Sequence, residues 1–477
     1  MTLPNPTKFY IDGAWVDATD REKINVTNPA NGETIATLAL ATADDVNAAV
    51  AAARRALPGL RATDMAQRRA MLHRIRAAYA ARIDDMGQAI MQELGAPIDL
   101  ARAGQAAGVL GKIDAFIDAC DEVVLSEPLA NGDLVLRQPA GVAALITPWN
   151  WPLHQIMLKL GAALAAGCPM ILKPSEVTPI CATILAEVMH AADLPAGAFN
   201  MIHGDGAGAG ATLTAHPGVD VISFTGSTAA GGRIARTAAE GIKRCALELG
   251  GKSACVIFAD ADLDAALTST LRKAFNNSGQ NCNAPTRLLI ERSAYDDAVT
   301  VAARLAADWT IGWPDQPGAH IGPVANARQH AHIRAMIKSG LNTGARLVAG
   351  GLDVPPEFAN GCFVAPTILA DVTNDMEVAR TEIFGPVVVM IPFDDETDAL
   401  SIANDSDYGL AAFVHTADRD RAHRMIRDLE AGMVLVNGSD ISPGSPFGGV
   451  KASGIGREGG IFGIEEFMEI KLVAGAP

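Results

Sequence analysis

The stretch GVAALITPWNWPLHQIMLKLGAALAAGCPMILK, residues 141–173, carries a strand, a helix and a second strand in immediate succession. Residues 141–147 form a short apolar run of the kind buried on both faces of a parallel sheet. Residues 153–166 are long and apolar enough for a buried helix, and Met170–Lys173 returns to the strand pattern. The scheme continues downstream. Residues 180–192 read as helix, 199–203 as strand, 207–215 as helix, 219–224 as strand and 231–241 as helix. Alternation of this kind predicts a doubly wound parallel sheet with ligands at the carboxyl ends of its strands. After Glu248 it starts again (253–258, 263–276, 287–290, 295–309), predicting a second α/β domain.

Upstream the pattern differs. Residues 9–40 read as short strands broken at Asp12-Gly13 and Asn31-Gly32. From Asp44 to about residue 117 the chain is helical and rich in alanine, with breaks expected at Pro58-Gly59 and at Gly95-Ala96-Pro97. Residues 122–138 read as a hairpin, with Asn131-Gly132 between Val123-Val124-Leu125 and Leu134-Val135-Leu136. An isolated hairpin is barely stable, so it should pack on another subunit or domain.

The chain has 477 residues, 49% of them hydrophobic and only 5% aromatic, so small aliphatic side chains must fill the cores of two or three domains. A net charge of -16 argues against tracking along DNA or RNA. It leaves room for a nucleotide cofactor, because one helix N-terminus and one lysine can bind a diphosphate locally. The 7 cysteines are scattered, with no Cys-x-x-Cys, so neither a disulfide framework nor a metal site is expected. A reducing cytoplasm is the simplest home. The opening Met-Thr-Leu-Pro-Asn-Pro-Thr-Lys lacks the apolar core of a signal peptide, and the apolar run 160–172 is too short for a bilayer. The expectation is a cytoplasmic protein with no membrane or nucleic-acid partner.

Two residues carry the chemistry. Cys282 lies in Asn-Asn-Ser-Gly-Gln-Asn-Cys-Asn-Ala-Pro, and Glu248 in Leu-Glu-Leu-Gly-Gly-Lys. A lone cysteine is usually a small buried hydrophobe, and a lone glutamate a strand-end ion pair. Here polar neighbours and glycines frame both, which suits a thiol that attacks a carbonyl and a carboxylate that activates water. Asp220 to Ser227 reads as a strand, a tight turn and a helix start, either a plain cap or an anion site. Gly204 to Ala211 mimics a dinucleotide fingerprint. Asp205 would repel a diphosphate there, so a tight turn beside the cofactor is the better reading.

Seven segments in order resemble the NAD(P)-dependent aldehyde dehydrogenases of the non-acylating type, over nearly the full chain. They are Pro-Trp-Asn (148–150), Lys-Pro-Ser-Glu (173–176), Phe-Thr-Gly-Ser-Thr (224–228), Leu-Glu-Leu-Gly-Gly-Lys (247–252), Gly-Gln-Asn-Cys (279–282), Glu-Ile-Phe-Gly-Pro (382–386) and Pro-Phe-Gly-Gly-Val-Lys-Ala-Ser-Gly-Ile-Gly-Arg-Glu (446–458). The resemblance implies two doubly wound α/β domains plus a small β oligomerisation element. Residues 1–121 and 139–247 would bind NAD, 248–445 would be catalytic, and 122–138 with 460–477 would join subunits into a homodimer or homotetramer.

It also implies roles. Cys282 would be the nucleophile, Glu248 the general base and Asn150 an oxyanion donor. Lys173 and Glu176 would hold the adenosine ribose, Gly226 and Ser227 the diphosphate, and Glu382 the nicotinamide ribose, with Phe384 and Trp149 on the same cofactor side. Lys159 and Glu458 would belong to a proton path. Trp151, Asn281, Asn283 and Phe447 would line the substrate pocket. The reaction implied is oxidation of an aldehyde to an acid through a Cys282 thiohemiacetal and thioester, which Glu248 then helps hydrolyse.

Departures from the family concern the pocket. Pro285 stands where relatives often carry glycine, and Trp151 where they carry phenylalanine or tyrosine. The loop 438–445 lacks aromatics, favouring a small or polar aldehyde, and neither it nor residues 150–160 offer an arginine to clamp a carboxylate. Glu176 accepts from a free 2′-hydroxyl and repels a 2′-phosphate, so NAD is expected, with NADP the alternative. Competing readings are a coenzyme A-acylating enzyme, a non-catalytic binding or structural relative, and a thiol redox sensor. The presence of Glu248, the retention of all three catalytic residues, and the lack of a resolving cysteine argue against these in turn.

Overall fold

The computed structural model describes residues 4–475, so the first three residues of the opening segment and the last two of the 460–477 element lie outside the described residues. The stretch 141–173 folds as Ala143–Ile146, Pro152–Ala166 and Met170–Lys173, strand, helix and strand as read. Its strands sit centrally in an eight-stranded sheet. In spatial order the members are Ala14–Asp17, Lys8–Ile11, Phe199–Met201, Met170–Lys173, Ala143–Ile146, Val221–Thr225, Arg244–Glu248 and Gly454–Ile455. The inner five run parallel, and antiparallel strands close both edges. All four residues of Ala143–Ile146 and of Met170–Lys173 are buried, because helices cover both faces.

The second sheet has seven strands in the order Arg346–Ala349, Thr367–Ala370, Val387–Phe393, Pro285–Glu291, Ser253–Ile257, Ala411–His415 and Met433–Val436, parallel except at the first pair. A third, three-stranded antiparallel sheet joins Met468–Val473, Leu134–Pro139 and Ser126–Pro128. Among the described residues no helix is long and apolar enough to cross a membrane.

Three expectations need correction. The helix Ala43–Arg61 runs through Pro58 and Gly59 without a break. Pro58 lies in the last turn, where it forfeits one backbone hydrogen bond on the exposed side, and its own carbonyl still accepts from Ala62 N–H at 3.2 Å. The hairpin begins at Ser126 rather than at Val123: Val123 and Leu125 pack against the helical core, and Leu129 N–H closes the Asn131-Gly132 loop onto Asp133 at 2.8 Å. At the C-terminus the small sheet takes only Met468–Val473, because Gly460–Glu465 is a helix whose Ile464 is buried in the first core.

The first sheet has a topological switch point. From Ala143–Ile146 the chain proceeds to Met170–Lys173 on one side, and from Val221–Thr225 to Arg244–Glu248 on the other. The helix Pro152–Ala166 packs in one core and Thr228–Glu240 in another, on opposite faces. A crevice at the carboxyl ends between Ala143–Ile146 and Val221–Thr225 follows, the place where open α/β sheets bind ligands.

Candidate functional site

Cys282 reaches its position through a strained turn. After the helix Leu263–Phe275, three successive residues, Asn277, Ser278 and Gly279, take left-handed conformations with φ of 53°, 56° and 71°. Non-glycine residues adopt that region only when their surroundings over-determine it. Here they do. Gln105 Nε2 donates to Asn277 Oδ1 at 2.8 Å, Asn277 Nδ2 donates to Asn150 O at 2.7 Å, and Ser278 Oγ donates to Gly322 O at 2.8 Å. Gln280 Nε2 returns to Asn277 O at 3.0 Å while its Oε1 accepts from Ala325 N–H at 2.8 Å. Gly279 must be glycine for space as well, since a Cβ there would stand 2.1 Å from Gly385 O. The turn places Cys282 just before the amino end of Pro285–Glu291, the residue as a whole half-buried.

Asn150 closes the same corner. Its Nδ2 donates to Gln280 O at 2.9 Å, and because a carboxamide carries two such hydrogens, one is left free.

Glu248 ends the strand Arg244–Glu248, and the glycine pair after it permits two close approaches. A Cβ on Gly250 would meet Glu382 Oε2 at 2.3 Å, and one on Gly251 would meet Cys282 O at 2.6 Å. Gly251 N–H also donates to Glu382 Oε1 at 3.1 Å. Glu248, Cys282 and Glu382 thus come together from three distant segments. Glu248 is 3% exposed, and neither carboxylate oxygen has a hydrogen-bond partner. Burial first, then the like charge of Glu458, holds its carboxyl well above the usual range, with Lys159 and Arg457 pulling the other way. Burial also pushes the Cys282 thiol up, reinforced by Glu248 and Glu382.

Behind Glu248 lies a buried ion pair. Lys159 donates to Thr225 Oγ1 at 2.7 Å and to the Glu458 carboxylate, whose Oε2 has no partner. Glu458 is fixed by paired backbone hydrogen bonds with Phe447, of 2.8 and 2.7 Å.

The remaining predicted cofactor residues line the crevice and its far end. Ser227 caps the helix Thr228–Glu240, its Oγ accepting from Ala230 N–H at 3.3 Å, and Gly226 precedes it. Lys173 is buried, with Nζ donating to Gly204 O at 2.8 Å and lying 3.5 Å from Glu176 Oε2. Asp205 spends its Oδ1 on Gly208 N–H at 2.6 Å, so that turn caps its own helix. At the near end the rings of Trp149 and Phe384 meet edge to face, 5.4 Å apart. Burial raises the Glu382 carboxyl to about 7 against the opposing pull of Gly251 N–H and Lys252.

Among the residues expected to line the substrate pocket, Trp151 Nε1 donates to Asn281 Oδ1, and Asn281 Nδ2 to Asn276 O at 2.8 Å. Both sides of the Asn281 carboxamide are therefore used within the chain, and it braces Trp151 rather than reaching outward. Asn283 is partly exposed and makes no side-chain hydrogen bond among the described residues, and Phe447 shares an apolar cluster with Cys282 and Ile441. Pro285 opens a central strand, the one position there that needs no ladder donor.

The sequence patterns left several residues unmarked. Gln105, on a segment of wide π-type turns, braces Asn277 from 172 positions away. Gln329 Nε2 holds Ile383 O and Phe384 O at 2.8 and 3.0 Å, pinning Phe384 at a φ of 55°. Lys252 is buried with no partner for Nζ. No local pattern announces Gln105 or Gln329, since each acts on a partner far away in the chain.

A model of the aldehyde dehydrogenase family matches residues 15–473. The chain belongs to the aldehyde dehydrogenase family. It is 43% identical over 469 residues, 98% of each chain, to a 3-succinoylsemialdehyde-pyridine dehydrogenase of a Pseudomonas species. An aldehyde dehydrogenase structure from Bartonella henselae superposes with a TM-score of 0.96 at 44% identity, covering 98% of this chain and 99% of that one. A cysteine-to-alanine mutant of aldehyde dehydrogenase C from Pseudomonas syringae, solved with NAD+ and octanal, gives 0.97 at 40% identity, covering 99% and 98%. This aldehyde dehydrogenase is therefore an oxidoreductase by family, and its two parallel-strand domains are those of its relatives.

Proposed function

We propose that this enzyme oxidises an aldehyde to a carboxylic acid with NAD, through a covalent acyl intermediate on Cys282. One observation carries the reading: a buried carboxyl, Glu248, with both oxygens unpartnered, lies close enough to Cys282 for its charge to raise the thiol. An unpaired buried carboxyl costs stability, which a structural role would not justify and a base role does.

The crevice fits a dinucleotide. An exposed helix N-terminus at Ser227 suits a diphosphate, and the Lys173–Glu176 pair at the neighbouring strand end suits ribose hydroxyls. Glu382, already receiving Gly251 N–H, suits the second ribose. Bound NAD supplies the hydride acceptor and a cationic ring whose charge favours the thiolate form of Cys282. Glu176, a carboxylate that would repel a 2′-phosphate, favours NAD over NADP.

The steps belong to the side chains. Cys282 loses its proton to Glu248 or to water and adds to the aldehyde carbon. The new oxyanion takes the free hydrogen of Asn150 Nδ2 and the backbone N–H of Cys282, and one such preorganised donor contributes about 3–4 kcal/mol to the transition state. Hydride loss from the thiohemiacetal carbon leaves a thioester on Cys282. Glu248 then takes a proton from water as its oxygen attacks the thioester, and the acid departs as the thiol reforms. The Glu458–Lys159 pair offers that proton a way onward.

A small or polar aldehyde fits the loop 438–445, which has no aromatic residue. The name of the 3-succinoylsemialdehyde-pyridine relative supports a functionalised aldehyde, while the octanal complex of the other relative speaks for an alkanal. Ile470 and Leu472, 71% and 61% exposed on the small sheet, support a homodimer or homotetramer joined there.

The test is NADH formation from an aldehyde panel, with and without coenzyme A, for the wild type and Cys282→Ala. Activity surviving the substitution would remove the covalent mechanism, and strict dependence on coenzyme A would replace hydrolysis by acyl transfer.

A further inference from the structure

Gln105 is a fully buried side chain that none of these steps uses. It lies in the wide-turned segment Leu100–Ala107, and the chain on either side of it is pinned from outside. His154 Nε2 donates to Gly104 O and Tyr79 Oη to Ala106 O, each at 2.9 Å. Wide turns of this kind are rare and recur at functional sites. Among the described residues the Gln105 side chain makes one hydrogen bond, from Nε2 to Asn277 Oδ1 at 2.8 Å, and its Oε1 is buried with no partner.

That single bond closes a cluster of four carboxamides. Gln105, Asn150, Asn277 and Gln280 are each 4% exposed or less. Asn277 Nδ2 donates to Asn150 O at 2.7 Å, and Asn150 Nδ2 to Gln280 O at 2.9 Å. Gln280 N–H and Nε2 both return to Asn277 O, at 3.1 and 3.0 Å. A carboxamide has nearly the same shape either way round, so its neighbours decide which end is oxygen. Asn150 O demands a donor from Asn277, and the other end of that amide is then an oxygen in need of a donor. Gln105 supplies it. Without Gln105, Asn277 would keep its left-handed backbone, at a φ of 53°, with one of its two amide anchors gone.

We infer that Gln105 is a positioning residue for the acylation half of the reaction: acting through Asn277, it fixes Asn150 against the turn that carries Cys282. This rests on the dehydrogenase reading above, in which Asn150 donates to the oxyanion. The effect belongs to the step in which the thiol meets the aldehyde, because the bonds of the cluster run to Asn150 and to the turn 277–280, and none of them reaches Ser227, Lys173 or Glu382.

The experiment places Gln105→Met in the wild type and in Asn150→Ala, and reads the first NADH-forming turnover by rapid mixing, NAD affinity by titration and stability by a thermal melt. Methionine keeps the length and removes the donor. The wild type buries one unpaired oxygen, Gln105 Oε1, and the variant would bury one too, Asn277 Oδ1, so the melting temperature should change little. The first turnover should slow about ten- to a hundredfold, the scale of a misplaced reacting group, with NAD affinity unchanged. In Asn150→Ala the same substitution should cost almost nothing further, since the donor it positions is already gone. An unchanged first turnover in Gln105→Met overturns the inference. An equal loss in both backgrounds does so too, as does a slower variant that melts several degrees lower. A wild type that forms no NADH from any aldehyde sinks the dehydrogenase reading instead.

Discussion

Gly251 lies directly against the carbonyl of Cys282, and a Cβ added to it would stand 2.6 Å from that oxygen. Backbone cannot yield as a side-chain tip can, so Gly251→Ala must shift the Cys282 segment. A displacement of the nucleophile by about 1 Å is enough to cost roughly a hundredfold in rate. The variant should fold, bind NAD and lose kcat on that scale, as steady-state kinetics beside a thermal melt would read.

Replacing Glu248 separates the two halves of the reaction. Glu248→Gln keeps the shape but removes the base. Thioester hydrolysis should slow by about 10²–10⁴-fold, while the first turnover still yields NADH. Rapid-mixing kinetics should give a burst near one NADH per subunit, and intact-mass analysis should find the acyl group on Cys282. Unchanged steady-state turnover would remove Glu248 as the base.

Asn150 has a structural bond and a free donor on one nitrogen. Asn150→Ala removes both, and kcat/KM should fall by about 10²–10³-fold, the scale for one lost oxyanion donor. A loss that lies only in KM would argue against the oxyanion role.

The pH profile follows from the burial of Glu248. Its carboxyl sits above the usual range because of burial and then Glu458, so the base form grows as pH rises and deacylation should climb with a midpoint above the usual carboxylate range. Glu458→Gln removes the like charge and leaves Lys159 uncompensated. The rise should then move to lower pH in a kcat profile measured under deacylation-limited conditions.

Glu93 makes a corresponding statement about stability. Fully buried, it accepts Ile180 and Cys181 N–H at 2.7 and 2.9 Å, and burial raises its carboxyl from 4.5 to about 7. A carboxyl raised on folding stabilises most below its unfolded pKa, and that contribution is lost as pH rises through the folded one. The loss here is about 3 kcal/mol at most, reckoned at 1.36 kcal/mol for each pKa unit. The melting temperature relative to Glu93→Gln should therefore fall between about pH 4.5 and 7, and a flat difference would contradict the burial.

Much of the fold was legible because local chemistry agreed with the global plan. The runs at 143–146, 170–173 and 253–257 are apolar without interruption, since each strand is covered on both faces. Where a local signal met a tertiary demand, the tertiary demand prevailed. Pro58 was read as a break, but one missing bond in a last turn cannot undo a helix whose other side is packed. Val123 and Leu125 were read as strand, and the helical core claimed them instead.

The same division runs through the site. The sequence by itself determined the family and marked the candidate reacting groups: Cys282, Glu248 and Asn150 each sit in a short motif, because the strained turn, the glycine pair and the strand end that carry them are local devices. Only the tertiary structure decided what those groups feel. That Glu248 lacks a partner and that Asn281 is spent on Trp151 are facts about segments far apart in the chain. Burial and electrostatics are sums over neighbours in space, and a sequence orders neighbours only along the chain.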